Sequence, residues 1–364
     1  MAALSILVAL SLVTPLAEAR TASYRSASKP ASVSLRSRLN RLAGTTNFGL
    51  TRPCPGRDVT MGASGNGVVA STGRERRAVD SSEIYVITGG GSGIGQAATL
   101  RMAKRGVTTL IVGRRANALE DTVKMAQEKG FKGEIIGVAA DVTTREGRSK
   151  VKEAVAQLTK DRGMTLRGLV HNAAVNTPCK KMMELDEDDW LKVSDINVNG
   201  PLFLTQALYP LFGKEEPEKN RIMMLSSVAR TCSGLPAYGP YCVSKLTFYG
   251  MHLMFKEELK EAETPVFCAS LIPGEVNTEM QKNTAYGQEE GVFPKHLVEY
   301  WQKIQESGQL LPPEVTGAFM EYVMMDTTPD EFQEDEWFIY DKKHHKDWAH
   351  EFPDVAIEEP AGLF

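Results

Sequence analysis

The chain has 364 residues, 42% hydrophobic and 24% charged, with a formal net charge of −4. That is ordinary globular composition, and the charge balance gives no general attraction to nucleic acid. The five cysteines, Cys54, Cys179, Cys232, Cys242 and Cys268, form no CxxC pair, which argues against a disulfide framework or a thiolate zinc site, and no apolar run reaches the ~18 residues of a membrane span.

The N-terminus reads as an address. Ala2 to Ala17 is small and apolar and runs into Ala17-Glu18-Ala19, the small-x-small form of a signal cleavage site, although a positive n-region is missing. Between Arg20 and Arg57 stand basic residues and no acid, among serine, threonine and alanine, which is transit-peptide composition. A Gly/Ser-rich linker follows from Gly62 to Gly73. Residues 1–81 are thus expected to be a disordered targeting leader and linker. The signal-plus-transit order resembles the leader of complex algal plastids; the secretory pathway or the cytoplasm is the alternative.

From Glu83 onward short apolar runs alternate with helical patterns. Ile84 to Thr88 reads as a buried strand, and Ile94 to Lys104 as a helix stopped at Gly106. Thr109 to Val112 and Glu134 to Ala139 are the next strands, with a helix between them from Ala116 to Glu128. A helix from Arg145 to Leu158 leads to a fourth strand around Leu169 and Val170. Asp188 to Phe212 carries one long helical pattern with Gly200-Pro201 inside it. Arg221 to Leu225 is a strand, Tyr241 to Lys260 a helix, Val266 to Ile272 a strand, Pro312 to Met325 a helix and Trp337 to Tyr340 the last strand. Such alternation predicts a single α/β doubly wound (Rossmann) domain over 82–341, its seven-stranded sheet mostly parallel and covered on both faces. The C-terminal tail, 342–364, reads as solvated; His344, His345 and His350 lack i,i+4 spacing, and no metal is expected.

Thr88-Gly89-Gly90-Gly91-Ser92-Gly93-Ile94-Gly95 joins the first strand to the first helix. Glycines serve where a backbone turns sharply and approaches pyrophosphate, and the helix then points its N–H groups at the phosphates. The second strand ends in Gly113-Arg114-Arg115, with no acid to accept from a ribose 2′-OH. Arg114 and Arg115 offer planar cations to a 2′-phosphate instead, so NADP is expected over NAD.

The spacing TGxxxGxG resembles the short-chain dehydrogenase/reductase family, and five further matches follow in order. They are Asp141-Val142, His171-Asn172-Ala173-Ala174, Asn197, Tyr241-Cys242-Val243-Ser244-Lys245 as YxxxK, and Pro273-Gly274-Glu275-Val276-Asn277-Thr278 as PGxVxT. The resemblance covers about residues 83 to 340. It implies cofactor contacts from Gly89, Ser92, Gly93, Ile94, Gly95, Asp141, Val142, Asn172, Ala173, Tyr241, Lys245, Pro273, Gly274, Val276 and Thr278. It also implies catalysis by Tyr241, Lys245, Ser227 and Asn197. His171 departs from the family's asparagine and reads as a buried hydrogen-bonding residue.

Tyr241 and Lys245 lie four apart on a predicted helix and share a face, so the ammonium is expected to lower the phenol's pKa. Ser227 follows the fifth strand and could donate to the substrate oxygen. Ser226 is adjacent, and the gap to Tyr241 is one residue longer than the family's commonest spacing, so both serines stay open. Asn197 would hold a water linking Lys245 to solvent; the alternative is a helix-kink residue. Tyr238 reads as a pocket wall.

The segment from Thr278 to Leu311 is expected to close over the substrate as a lid at about 279–311. Its Tyr286, Phe293, Tyr300 and Trp301 either line a pocket or pack the lid's own helices. This stretch resembles the sepiapterin reductase-like and benzil reductase-like branch, which implies a small ketone or dicarbonyl. The alternatives are a plastid 3-oxoacyl-[acyl-carrier-protein] reductase, favoured by a basic patch at the site mouth, and a non-catalytic NADP-sensing scaffold. The family resemblance also implies a homodimer or homotetramer, with no nucleic-acid partner and no membrane span in the mature protein.

Overall fold

The computed structural model describes residues 74, 76–288, 291–334 and 336–360, so nearly all of the expected leader, and Cys54, lie outside the described residues. The domain is held together from before Ser82. Arg77 donates its backbone N–H to Asp326 at 3.0 Å and pairs with Glu83, and Val79 packs against the core.

The elements in chain order are β1 (Glu83–Thr88), α1 (Gly93–Arg105), β2 (Thr108–Gly113), α2 (Ala116–Glu128), β3 (Ile135–Ala139), α3 (Arg145–Arg162) and β4 (Thr165–His171). Then come α4 (Glu187–Ser194), a π-helical turn (Asp195–Asn199), α5 (Gly200–Leu208), β5 (Arg221–Leu225), α6 (Gly239–Lys260) and β6 (Phe267–Ile272). The chain continues through α7 (Glu279–Tyr286), α8 (Lys295–Glu306), α9 (Pro313–Met325), α10 (Pro329–Phe332), β7 (Trp337–Phe338) and α11 (His345–Trp348).

All seven strands pair parallel in the order β3-β2-β1-β4-β5-β6-β7. Strands β1, β2, β4, β5 and β6 are buried on both faces because helices cover both faces. Alternation along β1 divides the core: Tyr85 and Ile87 face Met102, Phe319 and Val323, while Ile84 and Val86 face Val151, Leu204 and Phe248. Strand order reverses beside β1, between β1 and β4, and opens a crevice at the carboxyl ends of the strands. A third apolar cluster packs Phe293, Leu297, Trp301 and Ile304 with Leu235, Tyr238 and Cys242.

Two expectations need correction. The long helix over 188–212 is broken into α4, the π-helical turn and α5. Pro201 lacks an N–H and crowds the preceding turn, so the regular ladder cannot run through it. The tail is not solvated. Trp348 is 2% exposed and stacks on Phe319, Glu351 pairs with Arg101 at 2.8 Å, and His345 Nε2 lies 2.7 Å from the Ile339 carbonyl. Among the described residues no helix is long and apolar enough to cross a membrane, and no group of three acidic, histidine or cysteine side chains could hold a metal.

Candidate active site

The crevice begins with the glycine loop between β1 and α1. Gly89 adopts φ 72° and Gly93 φ 55°, in the left-handed region that favours glycine. Asn172 braces the loop, donating from Nδ2 to the Thr88 carbonyl at 2.9 Å and to Gly89 at 3.3 Å. Thr88 Oγ1 accepts from the backbone of Asn172 and Ala173. Asn172 therefore borders the crevice but spends its amide on the loop. Gly95 lies behind the loop, where a Cβ would run into the Gly89 carbonyl and Asn172.

Two clefts run end to end from here, both bordered by Gly89, Ser92, Ala173 and Ala174. The first, about 220 Å³, has Arg114, Arg115, Asp141 and Val142 in its walls. Arg114 and Arg115 are exposed and stand at the N-terminus of α2, whose first turn has no acidic residue and no side-chain cap. Asp141 is oriented by its own turn, accepting from the Thr143 N–H at 3.0 Å and hydroxyl at 2.8 Å.

The second cleft, about 300 Å³, collects Ser92, Gly93, Ile94, Ser227, Tyr241, Lys245, Pro273, Gly274, Val276 and Thr278. Gly274, at φ 78°, is pressed against Ile339 and Tyr340. Thr278 caps α7 by accepting from the Gln281 N–H at 3.3 Å. Tyr238 forms a wall, 5.0 Å from Tyr241 between ring centroids and bonded to Asn176 at 2.7 Å.

Lys245 is buried, donates to the Leu225 carbonyl at 2.6 Å, and stands 5.6 Å from the Tyr241 ring centroid. The pair is together, but the expected acidification of the phenol is overturned. Burial pushes Tyr241 up to about 12, against the pull of its Ser227 hydroxyl partner. Burial also lowers Lys245 to about 8. Desolvation disfavours the charged form of each group and is the largest influence on both. Of the two serines, Ser227 partners Tyr241 and also accepts from the Ala229 N–H at 3.2 Å. Ser226 lines the same cavity with its buried hydroxyl unpartnered.

Asn197 sits in the π-helical turn and lines neither cleft. Its Oδ1 accepts from the Val175 N–H at 2.9 Å; its Nδ2 donates to the Val175 carbonyl at 2.8 Å and to Ser244 Oγ at 2.9 Å. Ser244 in turn donates to the Tyr241 carbonyl at 2.7 Å. Both amide protons are used, so the side chain ties the turn to α6 and has no donor left for a water. His171 is the buried histidine expected, its Nε2 2.8 Å from Thr205 Oγ1, and burial lowers it to about 3.

In the lid, Tyr300 and Trp301 line the cavity, Phe293 packs against Trp301 at 4.8 Å, and Tyr286 is exposed. Sequence reasoning missed Glu275, Tyr340 and Glu359, which also line it. Glu275 was visible only as the variable position of PGxVxT, and Glu359 lay in the tail, outside every motif.

Comparisons with known proteins agree with this geometry. A family model described as short chain dehydrogenase matches residues 83–289. Dehydrogenase/reductase SDR family member 4 of Homo sapiens is 29% identical over 214 residues, 59% of this chain and 73% of that protein. A 3beta-hydroxysteroid dehydrogenase of Mediterraneibacter gnavus is 30% identical over 203 residues, 56% of this chain and 69% of that protein. The crystal structure of a short chain dehydrogenase/reductase from Saccharomyces cerevisiae superposes with TM-score 0.63 at 23% identity, over 73% of this chain and 99% of that one. A short chain dehydrogenase from Shigella flexneri, solved with NADP, gives TM-score 0.55 at 23% identity, over 70% of this chain and 95% of that one. At those identities the two structures share the fold.

Proposed function

The chain belongs to the short chain dehydrogenase family, and from that premise we propose that it is an NADPH-dependent reductase of small carbonyl compounds, with Tyr241 as proton donor and Ser227, Lys245 and Asn197 in support. One observation carries the reading. A single cavity joins Ser227, Tyr241 and Lys245 to the glycine loop and to the Pro273–Thr278 segment.

The residues present fit a dinucleotide. Gly93 faces the cavity, and a Cβ there would meet only Thr278, at 3.3 Å, so the backbone is open to a bulky phosphate. Ser92 does not cap α1, and the first turn of α1 carries no acid, which leaves its N–H groups for pyrophosphate. Arg114 and Arg115 beside the uncapped start of α2 favour a 2′-phosphate, which an acid there would repel.

A reduced nicotinamide, when bound, supplies the hydride that reaches the carbonyl carbon. Tyr241 gives its hydroxyl proton to the carbonyl oxygen as the new C–H bond forms, leaving an alcohol and a phenolate. Ser227 donates to the oxygen while charge grows on it. Burial pushes Tyr241 up to about 12, so it carries its proton at neutral pH, the form a proton donor needs. Asn197 acts through position, fixing α6 through Ser244.

The acyl-carrier-protein reading asked for a basic mouth, and Glu275, Glu279 and Glu359 line the cavity instead. Leu246, Leu253 and Met254 are exposed along α6 and support a homo-oligomer. The test is a panel of ketones, aldehydes and acetoacetyl thioesters with NADPH oxidation followed by absorbance. Tyr241→Phe is expected to lower kcat by ~10²–10⁴ while NADPH still binds. Undiminished turnover by that variant refutes the assignment.

A further inference from the structure

The sheet is complete at β7, yet the chain goes on and returns to the crevice. Glu359 and Pro360 line the second cleft together with Tyr241, Tyr300, Trp301 and Tyr340. Pro360 is buried there, at the end of the described residues.

The path to that point is anchored step by step. Trp348 stacks on Phe319. Glu351 accepts from Arg101 through both carboxylate oxygens, at 2.8 and 2.9 Å, and pairs with Arg76 as well. Phe352 and Val355 pack against the core, and Ile357, 7% exposed, is part of it. Lys342 pairs with Glu358 at 3.0 Å. Arg101 lies in the second half of α1, about 12 Å along the helix from Gly93 and the glycine loop. The stretch from Phe352 to Pro360 spans up to ~30 Å when extended, ample to cover that distance. The tail therefore doubles back along the domain and brings a proline ring to the cavity. That ring fixes its own φ and presents a rigid apolar face, which yields less than a flexible side chain would.

Resting on the reductase reading above, we propose that Pro360 is a specificity-determining residue: it closes the substrate end of the cavity, so the site takes compact apolar carbonyl compounds and rejects those with a longer chain on the side away from Tyr241. The other walls there are apolar too, with Leu235, Tyr238, Met280 and Trp301. In an open pocket, added methylenes favour binding because they leave water. Against a packed wall they must displace it, and the sign reverses. Glu351 is a positioning residue, which holds the tail through Arg101 and Arg76 and does not itself line the cavity.

The test compares acetophenone with para-butylacetophenone, using the full chain and NADPH. Acetophenone is expected to lead in kcat/KM by at least ~10-fold. Pro360→Ala, and a chain ending at Ala356, should each shrink that lead by ~3-fold or more. Where the shortened chain fails to fold, Pro360→Ala alone decides. Glu351→Gln should shrink the lead through the KM of the longer ketone, with kcat unmoved. Equal or better use of the longer ketone by the unaltered chain, or a lead that survives Pro360→Ala, overturns the wall; a lead that survives only Glu351→Gln overturns the anchoring role. Binding of benzamide and para-butylbenzamide, carbonyl compounds with no ketone to reduce, is followed by calorimetry with NADPH present and separates this failure from failure of the reductase reading. Exclusion of the longer amide from the unaltered chain and its entry into Pro360→Ala support the wall even if no ketone is reduced. Equal binding of the two amides, or binding of neither, overturns it.

Discussion

Replacing Lys245 by methionine should change the stability of the domain in a manner set by pH. Burial lowers this ammonium from 10.5 to about 8, a gap of 2.5, so at about 1.4 kcal/mol per pKa unit carrying the charge at neutral pH costs about 3 kcal/mol. The folded pKa lies below the unfolded one. The unfolded chain therefore holds the extra proton between the two values, and wild-type stability rises with pH across that window. Methionine has no proton to exchange and removes this dependence. At pH 7 the variant escapes the charge penalty but leaves the Leu225 carbonyl, now bonded at 2.6 Å, without its donor, a loss of about 1–3 kcal/mol. The two effects nearly cancel. By about pH 9.5 most of the charge penalty has vanished from the wild type, and the balance moves in its favour by about 2 kcal/mol. For a domain of this size that is roughly 4 °C in Tm. Thermal unfolding of both proteins at the two pH values measures the change. A wild-type-minus-variant difference that stays constant would refute the claim that Lys245 is charged at an energetic cost.

Arg114→Asp should lower the NADPH-over-NADH ratio of kcat/KM by ~10–100-fold, because one charge-assisted contact is lost and a repulsion is gained; an unchanged ratio places the 2′-phosphate elsewhere. Glu275→Gln should stabilise the fold at pH 8 by up to about 3 kcal/mol and do little near pH 4.5. Its folded pKa of about 7 lies above the ordinary 4.5, so wild-type stability falls as pH rises through that interval, and chemical denaturation at both pH values reads the effect. Trp348→Ala should cost about 3–5 kcal/mol, since the ring is 2% exposed and stacks on Phe319 at 5.0 Å; a loss below about 1 kcal/mol in the same denaturation assay would mean the tail contributes little to the domain.

The sheet was legible because its strands are buried on both faces, so each reads as a short apolar run between turn residues, and β5 and α2 fall where the pattern put them. The π-helical turn was not legible. An i→i+4 and an i→i+5 ladder ask for the same residue types, and the turn at Asn197 is held by Val175 and Ser244, 22 and 47 residues away in the chain. The tail misled for a related reason. Its lysines and histidines look solvated, but Trp348 and the pairing of Glu351 with Arg101, 250 residues away, decide where it sits. The two adjacent serines could not be separated by spacing. Both line the second cleft, and only the fold shows that Ser227 partners Tyr241.

The phenol shows most clearly what a four-residue spacing can and cannot establish. Spacing puts Tyr241 and Lys245 on one face of α6; it carries no information about how much water surrounds them. In water the two groups titrate close together, at 10.0 and 10.5. In the folded chain burial moves them apart and inverts their order, to about 12 and about 8. Under the proposed reaction that inversion has a use. Once Tyr241 has given its proton to the carbonyl oxygen, the phenolate left behind is a far stronger base than the lysine amine beside it. Return of a proton to Tyr241 is then strongly favoured, while the Lys245 ammonium stays on the Leu225 carbonyl. The same desolvation that makes Lys245 costly to the resting fold therefore also holds the proton on Tyr241.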